Sequence, residues 1–178
     1  MAMSKVYFIS DYHFGHAKVI EFEDRCRGKV LSVDTIQDHD EELIVRTLET
    51  INKRDTLWIL GDNGNEKLLY AMLTQTRANI KYIPGNHDSI TSIELLATLP
   101  NLKVAGITKW KNFWLTHAPV HPQELRGKMN IHGHNHSKVI RDPNYFCVSV
   151  ENTGGYTVWG EEIRNGEFTT HNNFLLDN

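Results

Sequence analysis

Cysteine, long apolar runs and an excess of positive charge are all scarce in this chain of 178 residues. The two cysteines, Cys26 and Cys147, stand alone rather than in a CxxC pair, which indicates a reducing compartment. The longest apolar runs, 6–9 and 57–60, are far shorter than the roughly 20 residues that cross a bilayer. No charged segment followed by an apolar stretch and a cleavage site opens the sequence. We therefore expect a soluble, cytoplasmic protein without a membrane partner.

Charge and composition narrow the class of protein further. The 19 basic and 22 acidic residues give a formal net charge of -3, so the chain lacks the positive field that binding to a long nucleic acid requires. Hydrophobic residues at 40% and charged residues at 23% are near the averages of globular proteins, which excludes disorder and coiled coil. Residues 1–178 are expected to form a single domain, whose oligomeric state the sequence leaves open.

The hydrophobic pattern of the first half predicts alternating strands and helices. Short apolar runs predict strands, and apolar residues at helical spacing predict helices. The predicted strands are 6–10, 56–60 and 80–83, and the predicted helices are 18–23, 34–51, 66–77 and 91–99. Segment 24–33 is predicted as an irregular loop. This alternation favours an α/β fold with parallel strands.

The second half is predicted to be rich in strands. They are expected at 102–107, 113–116, 129–132, 145–150, 156–159 and 163–169. No repeat and no linker rich in proline, glycine or serine separates the two halves. One core made of two sheets is therefore a more economical interpretation than two domains.

Side chains that bind metals follow the predicted strands. The ten histidines are clustered rather than scattered. Five stretches carry candidate ligands, namely Asp11-x-His13, Gly61-Asp62, Gly85-Asn86-His87-Asp88, Thr116-His117 and Gly133-His134-Asn135-His136. Each stretch alone is common by chance, because Gly-Asp also makes turns and Asn-His-Asp also caps helices. Their joint occurrence, each just past an apolar strand, indicates a metal site.

These five stretches resemble the signature blocks of the calcineurin-like metallophosphoesterase superfamily. Segments 11–16, 116–119 and 147–151 are also similar to those of compact members from bacteria and their phages. The resemblance implies a four-layer sandwich of two mixed β-sheets flanked by helices, with a dinuclear metal site at the carboxyl ends of strands. It also implies the host cytoplasm as the location if a phage encodes the protein.

The resemblance assigns seven metal ligands. It places Asp11, His13, Asp62 and His136 on a first metal, and Asp62, Asn86, His117 and His134 on a second. Asp62 is the expected bridge. Nitrogen and oxygen ligands without thiolate favour transition metals over calcium and magnesium. We expect two divalent ions, manganese first, with iron, zinc or nickel as alternatives.

The same resemblance gives catalytic roles to His87 and Asp88. Two metal ions about 3.5 to 4 Å apart hold a phosphoryl group and deprotonate a bridging water, so that a hydroxide attacks the phosphorus. In the family the histidine protonates the leaving oxygen or stabilises the transition state, which suits the near-neutral pKa of an imidazole. Asp88 would orient His87. The alternative is a turn histidine that only pairs with Asp88.

Three further residues are expected to contact substrate or to support a ligand. His16 and His121 each lie a few residues from a predicted ligand, although a loop histidine without a role is an equally good interpretation of both. Asn63 follows the predicted bridging carboxylate, where most compact relatives have an apolar residue. Its amide is expected to bond a metal-bound water.

The other histidines and a basic segment are expected to be structural or solvated. His132 lies on a predicted strand before a glycine turn and is expected to pack or to orient a ligand. His39 is expected to lie on the polar side of helix 34–51. The basic residues Arg25, Arg27 and Lys29 alternate with polar residues, which is typical of a solvated loop.

The expected reaction is hydrolysis of a phosphodiester on a small nucleotide, for example a 2′,3′-cyclic nucleotide. A poor alkoxide leaving group benefits most from a general acid such as His87. The run Asn63-Gly64-Asn65 after Asp62 differs from the Asp-Arg-Gly continuation of protein serine/threonine phosphatases and disfavours phosphoproteins. Phosphomonoesters and short oligonucleotides remain alternative substrates of the same site. An alternative of another class is a catalytically silent interaction scaffold on the same fold.

Overall fold

The computed structural model describes residues 3–21 and 27–168, and these residues form two β-sheets. The strands are β1 (Val6–Ile9), β2 (Thr56–Ile59), β3 (Asn79–Tyr82), β4 (Leu102–Val104), β5 (Thr108–Trp110), β6 (Phe113–Leu115), β7 (Met129–His132), β8 (Tyr145–Cys147) and β9 (Val158–Trp159). The first sheet has the order β4-β3-β2-β1-β9, and the second has the order β5-β6-β7-β8. Strands β1 to β4 are parallel, as are β6 to β8. Strands β9 and β5 are antiparallel to their neighbours, so both sheets are mixed.

Helices flank the sheets. They are α1 (Lys18–Glu21), α2 (Arg27–Leu31), α3 (Ile36–Thr50), α4 (Glu66–Leu73), α5 (Ile90–Leu96), α6 (Val150–Thr153) and α7 (Gly160–Arg164). The Thr35 side chain accepts a hydrogen bond from the backbone N–H of Asp38 at the start of α3, and Asn65 accepts from Lys67 and Leu68 at the start of α4. Such caps satisfy amide groups that have no partner within the helix. No helix in the described ranges has the length and apolar character needed to cross a membrane.

The first sheet packs on both of its faces. Along β1, Tyr7 and Ile9 belong to an apolar cluster that includes Leu43 of α3 and side chains of α4. Phe8, which lies between them, belongs to a second cluster with residues of the other sheet such as Ile131. Successive residues of a strand point to opposite faces. Helices therefore cover one face of the first sheet, and the second sheet covers the other.

The predicted α/β fold of two mixed sheets with flanking helices is confirmed. The parallel strands predicted at 6–10, 56–60 and 80–83 correspond to β1, β2 and β3, with ends that differ by one residue. The helix predicted at 34–51 corresponds to α3. These segments could be identified because their buried positions follow the period of one regular element without interruption.

Four local predictions are wrong. The strand expected at 145–150 ends at Cys147, and α6 follows it because Gly154 (φ 65°) closes a short helical turn. The strand expected at 163–169 begins inside α7, where Ile163 reaches the core from a helical turn; residue 169 lies outside the described residues. The strand expected at 102–107 ends at Val104, at the end of β4, and β5 begins only at Thr108. The expected irregular loop 24–33 contains α2, and its residues 24–26 lie outside the described residues. Residues 22 and 23 of the first predicted helix also lie outside the described residues.

Segment 118–128 covers the outer face of the second sheet. Trp114, Asn130 and Tyr145 are cross-strand neighbours on β6, β7 and β8. Asn130 Nδ2 donates to the Trp114 carbonyl at 3.0 Å, and its Oδ1 accepts from the Val120 N–H at 2.9 Å. The Tyr145 hydroxyl donates to the Val120 carbonyl at 2.8 Å, and Trp114 Nε1 donates to the Leu125 carbonyl at 3.2 Å. Three side chains thus anchor the segment that follows the strand β6.

Asn130→Ala is expected to lower the free energy of unfolding by roughly 1–3 kcal/mol, because it removes the partner of several buried or half-buried backbone groups. Urea unfolding followed by circular dichroism measures the loss. Asn112→Ala is the matched control, since this side chain is exposed. A loss for Asn130→Ala no larger than that of Asn112→Ala would contradict the anchoring role.

Candidate metal centre

The predicted ligands all lie in loops at the carboxyl ends of strands. Asp11 and His13 follow β1, Asp62 follows β2, Asn86 follows β3, His117 follows β6, and His134 and His136 follow β7. In each sheet the strands that carry them are parallel. Loops at the carboxyl ends of parallel strands leave the sheet at the same edge. Both sheets therefore direct their candidate ligands to one end of the molecule.

Six of the seven predicted ligands form two clusters of carboxylate and imidazole groups. One cluster is Asp11, His13 and His136, and the other is Asp62, His117 and His134, with the ligand atoms of each cluster within 4.8 Å of one another. In the first, His136 Nε2 and His13 Nε2 lie 3.7 and 4.0 Å from Asp11 Oδ1. In the second, His117 Nε2 lies 3.3 Å from Asp62 Oδ2.

Asp62 and Asn86 complete the arrangement. Asp62 Oδ2 is 3.3 Å from His117 Nε2 and 3.9 Å from His13 Nε2, so one carboxylate oxygen faces both clusters. Asn86 Oδ1 lies 3.0 Å from His117 Nε2 and 2.9 Å from His134 Nδ1. The structure therefore brings all seven predicted ligands into one site, with Asp62 between the clusters.

Most of these ligands have a left-handed backbone conformation. The φ angles are 60° at Asp11, 50° at His13, 55° at Asp62, 69° at His134 and 51° at His136. This conformation is uncommon for residues other than glycine and costs about 1–2 kcal/mol for each residue. Such outliers persist only where surrounding contacts enforce them, and they concentrate at functional sites.

Hydrogen bonds between the loops hold this conformation. The backbone N–H groups of Asp11 and His13 donate to the carbonyls of Gly61 and Asp62 at 2.9 and 3.0 Å. The hydroxyl of Ser149 and the N–H of His134 donate to Asp11 Oδ2 at 2.9 and 3.0 Å. The Asp11 carboxylate is therefore oriented by groups from the second half of the chain.

The loops also approach one another so closely that a side chain is excluded at some positions. A Cβ atom at Gly133 would collide with the side chains of Ser10 and Asp11. A Cβ atom at Gly85 would collide with the Asp62 carboxylate. Glycine is therefore required immediately before the ligand residues that follow β3 and β7.

The donor atoms fit divalent metal ions. His13 Nε2 is buried and has no hydrogen-bond partner among the described residues. It lies 4.0 Å from Asp11 Oδ1 and 3.9 Å from Asp62 Oδ2, which is too long for hydrogen bonds but compatible with atoms that share an ion at about 2.0–2.2 Å. Imidazole and carboxylate ligands without thiolate suit transition metals such as Mn, Fe, Zn or Ni.

The protonation states of His13 and Asp62 also favour metal binding. Burial lowers the pKa of His13 to about 3, assisted by the nearby Arg27 guanidinium. Burial acts to raise the pKa of Asp62, but hydrogen bonds from His117 and from the His87 N–H outweigh it and lower the pKa to about 2. At neutral pH the imidazole of His13 is therefore neutral and the Asp62 carboxyl is ionised. These are the forms that bind cations.

Acceptors behind two of the histidines fix which ring nitrogen faces the site. His117 Nδ1 is 2.7 Å from the Leu60 carbonyl, and His136 Nδ1 is 3.0 Å from the Glu151 carboxylate. A carbonyl or carboxylate oxygen only accepts, so Nδ1 carries the proton in both rings. In the neutral form of each ring, Nε2 therefore carries the lone pair and faces the clusters.

His87 lies at the rim of the site, but Asp88 has a different role from the one expected. The backbone N–H of His87 donates to Asp62 Oδ1 at 2.9 Å, and its exposed ring is 5.7 Å from the ring of His13. Asp88 accepts from the backbone N–H groups of Asp62, Gly85 and Asn63 at 2.8, 2.7 and 3.0 Å. The described contacts include no hydrogen bond between Asp88 and the His87 ring. The carboxylate turns back to join the loops that follow β2 and β3.

The three residues expected to contact substrate or to support a ligand lie in three different surroundings. His16 is exposed, and its ring is 5.9 Å from that of His13. It lines an open cavity of about 410 Å³ between segments 14–16 and 64–67. Asn63 is buried and bonded to Asp88. His121 caps the turn Pro122–Glu124 by accepting from a backbone N–H, so its contacts are local to that turn.

Three buried residues near the site were not given a role from the sequence. Arg27 was expected in a solvated loop, but its side chain is fully buried and bonds Glu151. His39 was expected to be solvated, but it is buried with Nδ1 2.8 Å from Asp40 Oδ1. Glu151 belongs to the segment 147–151 that resembles compact relatives, which was the one available signal. His132 is buried as expected, and its Nδ1 lies 2.8 Å from the Gly133 carbonyl.

The buried His39 predicts that stability falls as the solution becomes acidic. Burial lowers the pKa of His39 below 6.5, although the Asp40 carboxylate opposes the shift. The unfolded chain then binds a proton that the folded protein does not, so the free energy of unfolding decreases as the pH falls below about 6.5. Urea unfolding of chelator-treated protein at about pH 7.5 and 5.5 measures this.

His39→Gln is expected to have the shallower pH dependence, by at most about 1.4 kcal/mol per pH unit. Equal pH dependence in His39→Gln and the unmodified protein would contradict the assignment.

Known proteins share both the sequence and the fold. The chain matches the calcineurin-like phosphoesterase family over residues 4–173. The gene 66 protein of Mycobacterium phage D29 is 31% identical over 175 residues, covering 78% of this chain and 82% of that protein. For the gene 66 protein of Mycobacterium phage L5 the identity is 28%, with 93% and 92% covered. A protein of unknown function from Aquifex aeolicus has the same fold, with a TM-score of 0.63, 20% identity, and 92% of this chain and 99% of that chain covered. The chain therefore belongs to the calcineurin-like phosphoesterase family.

Proposed function

We propose that this phosphoesterase is a dinuclear-metal-dependent phosphodiesterase that acts on small nucleotides, for example 2′,3′-cyclic nucleotides. Membership of the family and the two carboxylate-imidazole clusters support metal-dependent hydrolysis of a phosphoester. The observation that carries the dinuclear proposal is the position of Asp62 Oδ2, which is within 4 Å of a histidine from each cluster.

The clusters define which side chains would hold each ion. Asp11, His13 and His136 would hold one ion, Asn86, His117 and His134 would hold the other, and Asp62 would contribute to both. Divalent ions at such a site act as Lewis acids on phosphoryl oxygens and make water a stronger nucleophile at neutral pH. The side chains supply two carboxylates against two divalent charges, so an anionic diester is attracted to the site.

His87 is suited to transfer a proton to the leaving oxygen. Its ring is exposed at the rim, and its backbone N–H is held by Asp62 Oδ1. The His87 backbone is therefore held against the carboxylate between the two clusters, and its ring is exposed beside the ring of His13. Histidine is the side chain that most often serves as a general acid, and proton transfer to a leaving alkoxide contributes about 10²–10⁴-fold to a rate.

The surroundings of the site favour a small substrate. A cavity of about 410 Å³ that is open to solvent lies beside His16, in the loop that follows the predicted ligand His13. The net charge of -3 gives no extended attraction for a long nucleic acid. Short oligonucleotides and phosphomonoesters are tested together with the proposed diester.

Chelator-treated protein is expected to lose hydrolytic activity, because the ions activate water and polarise the phosphoryl group. Added Mn²⁺ is expected to restore activity, because the side chains that bind the ions remain in place. Steady-state hydrolysis of 2′,3′-cyclic nucleotides, of the matching monoesters and of short oligonucleotides measures this. Metal-dependent turnover of the diester supports the proposal. Preference for monoesters or oligonucleotides would overturn the substrate assignment, and no turnover would favour a silent scaffold.

His87→Ala is expected to lower kcat for the diester by about 10²–10⁴-fold, because it removes the proton donor. The metal content, measured by mass spectrometry, should remain near that of the unmodified protein. Lys103→Ala is the control, since this side chain is exposed on β4 and has no role assigned at the site. Unchanged kcat in His87→Ala would remove this residue from the mechanism.

A further inference from the structure

We propose that Glu151 is the positioning residue that directs His136 to the metal centre, and that Arg27 holds Glu151 in place for this task. The inference deepens the proposed metal-dependent function and rests on it. Glu151 is 5% exposed and the side chain of Arg27 is fully buried. Neither of them belongs to the seven ligands or to the residues that face the substrate.

Glu151 determines the orientation of the His136 ring. Its Oε1 lies 3.0 Å from His136 Nδ1, while His136 Nε2 lies 3.7 Å from Asp11 Oδ1 on the opposite side of the ring. The contact with the carboxylate fixes the proton on Nδ1 and leaves the Nε2 lone pair for an ion. His136 has a left-handed backbone, with φ 51°. Because His136 lies in a loop and not in a helix or strand, the orientation of its ring depends on this contact with Glu151.

Arg27 fixes Glu151 and a second ligand loop together. Its Nε and Nη2 atoms donate to Glu151 Oε1 at 3.0 and 2.7 Å. Its Nη1 donates to the carbonyl of Tyr12 at 3.0 Å, between the ligands Asp11 and His13. The guanidinium thus contacts α6 and the loop after β1 at the same time. Its planar arrangement of donors makes this geometry specific to arginine.

Within the described ranges, the other cluster has no equivalent pair of charged residues behind its histidines. His117 Nδ1 is held by the backbone carbonyl of Leu60, which substitution of a side chain does not remove. His134 Nδ1 faces Asn86, another predicted ligand. Among the described residues, the ion pair therefore supports the cluster of Asp11, His13 and His136. Loss of Glu151 should weaken the metal site of this cluster and leave the other intact.

A purely structural role makes a different prediction. Removing one member of a buried ion pair leaves an unpaired charge and destabilises the fold, whereas removing both members is often tolerated. If Glu151 serves only as the partner of Arg27, removal of both charges restores metal binding together with the fold. If Glu151 positions His136, the double variant folds but still binds the ion weakly.

The test uses the full-length His134→Ala protein as its parent, because this substitution weakens the other cluster and isolates the site of His136. Glu151→Gln and the double variant Arg27→Met/Glu151→Gln are compared in this background. Asp55→Asn is the matched control, since Asp55 is a buried carboxylate that accepts backbone N–H groups at the other end of β2. Circular dichroism verifies folding, and calorimetric titration with Mn²⁺ gives the affinity.

Both Glu151 variants are expected to bind Mn²⁺ roughly 10- to 100-fold more weakly than the parent, and Asp55→Asn is expected to bind it with unchanged affinity. A folded double variant with the affinity of the parent would overturn the proposal, as would an equal loss in Asp55→Asn. Failure of hydrolysis alone would concern the proposed function and not the positioning of His136.

A measurement on the unmodified metal-free protein covers the case in which the variants fail to fold. Nitrogen-15 NMR of the histidine rings distinguishes the two neutral tautomers. His136 is expected to carry its proton on Nδ1, where the Glu151 carboxylate accepts it. A proton on Nε2 of neutral His136 would overturn the proposal.

Discussion

The ion pair between Arg27 and Glu151 brings together parts of the chain that are distant in sequence, and the order of the candidate metal centre depends on it. The two residues are separated by 124 positions, and their charges meet in an interior with almost no access to water. Either charge alone would carry a large desolvation penalty there. Pairing therefore constrains α2 and α6 to adjacent positions, and the remaining donors of Arg27 reach the loop after β1.

Such a constraint is needed because the ligand loops are not stable conformations by themselves. A left-handed backbone at Asp11, Asp62 and His136 has a cost that each short loop has to offset through contacts with its neighbours. Asp88 provides three of these contacts by accepting backbone N–H groups from two loops. Buried polar side chains such as Asp88 thus hold the backbone of the ligand loops in place. The backbone conformation in turn sets the directions in which the candidate ligand side chains point.

The difference between the candidate ligands and the buried groups that hold their loops explains which features could be predicted from the sequence. The candidate ligands could be predicted because each follows an apolar strand within a short motif that resembles a signature block of the family, and parallel strands bring their carboxyl ends together. The burial of Arg27 was not identifiable, because its partner Glu151 is 124 positions away and meets it only after folding. The burial of His39 was not identifiable, because a histidine beside Asp40 does not interrupt the helical pattern of α3. The role of Asp88 was missed for a related reason, since a short side chain beside a turn bonds neighbouring backbone as readily as an adjacent imidazole. The strand predicted at 163–169 failed because one helical turn also carries Ile163 into the core.

In this fold the apolar clusters hold the sheets and helices together, and the polar network around the site orients the candidate ligands. Asp62 and Asn86 come from the first sheet and His117 and His134 from the second, so the site spans the junction of the sheets. The apolar cluster between the sheets includes Phe8 and Ile131, and its burial brings the sheets together without any contribution from the ligands. We therefore expect the fold to assemble without a metal ion, in contrast to small domains whose ligands meet only on binding it. The chain can consequently maintain strained ligand loops in advance, which is the condition for a site that binds ions and substrate with little rearrangement.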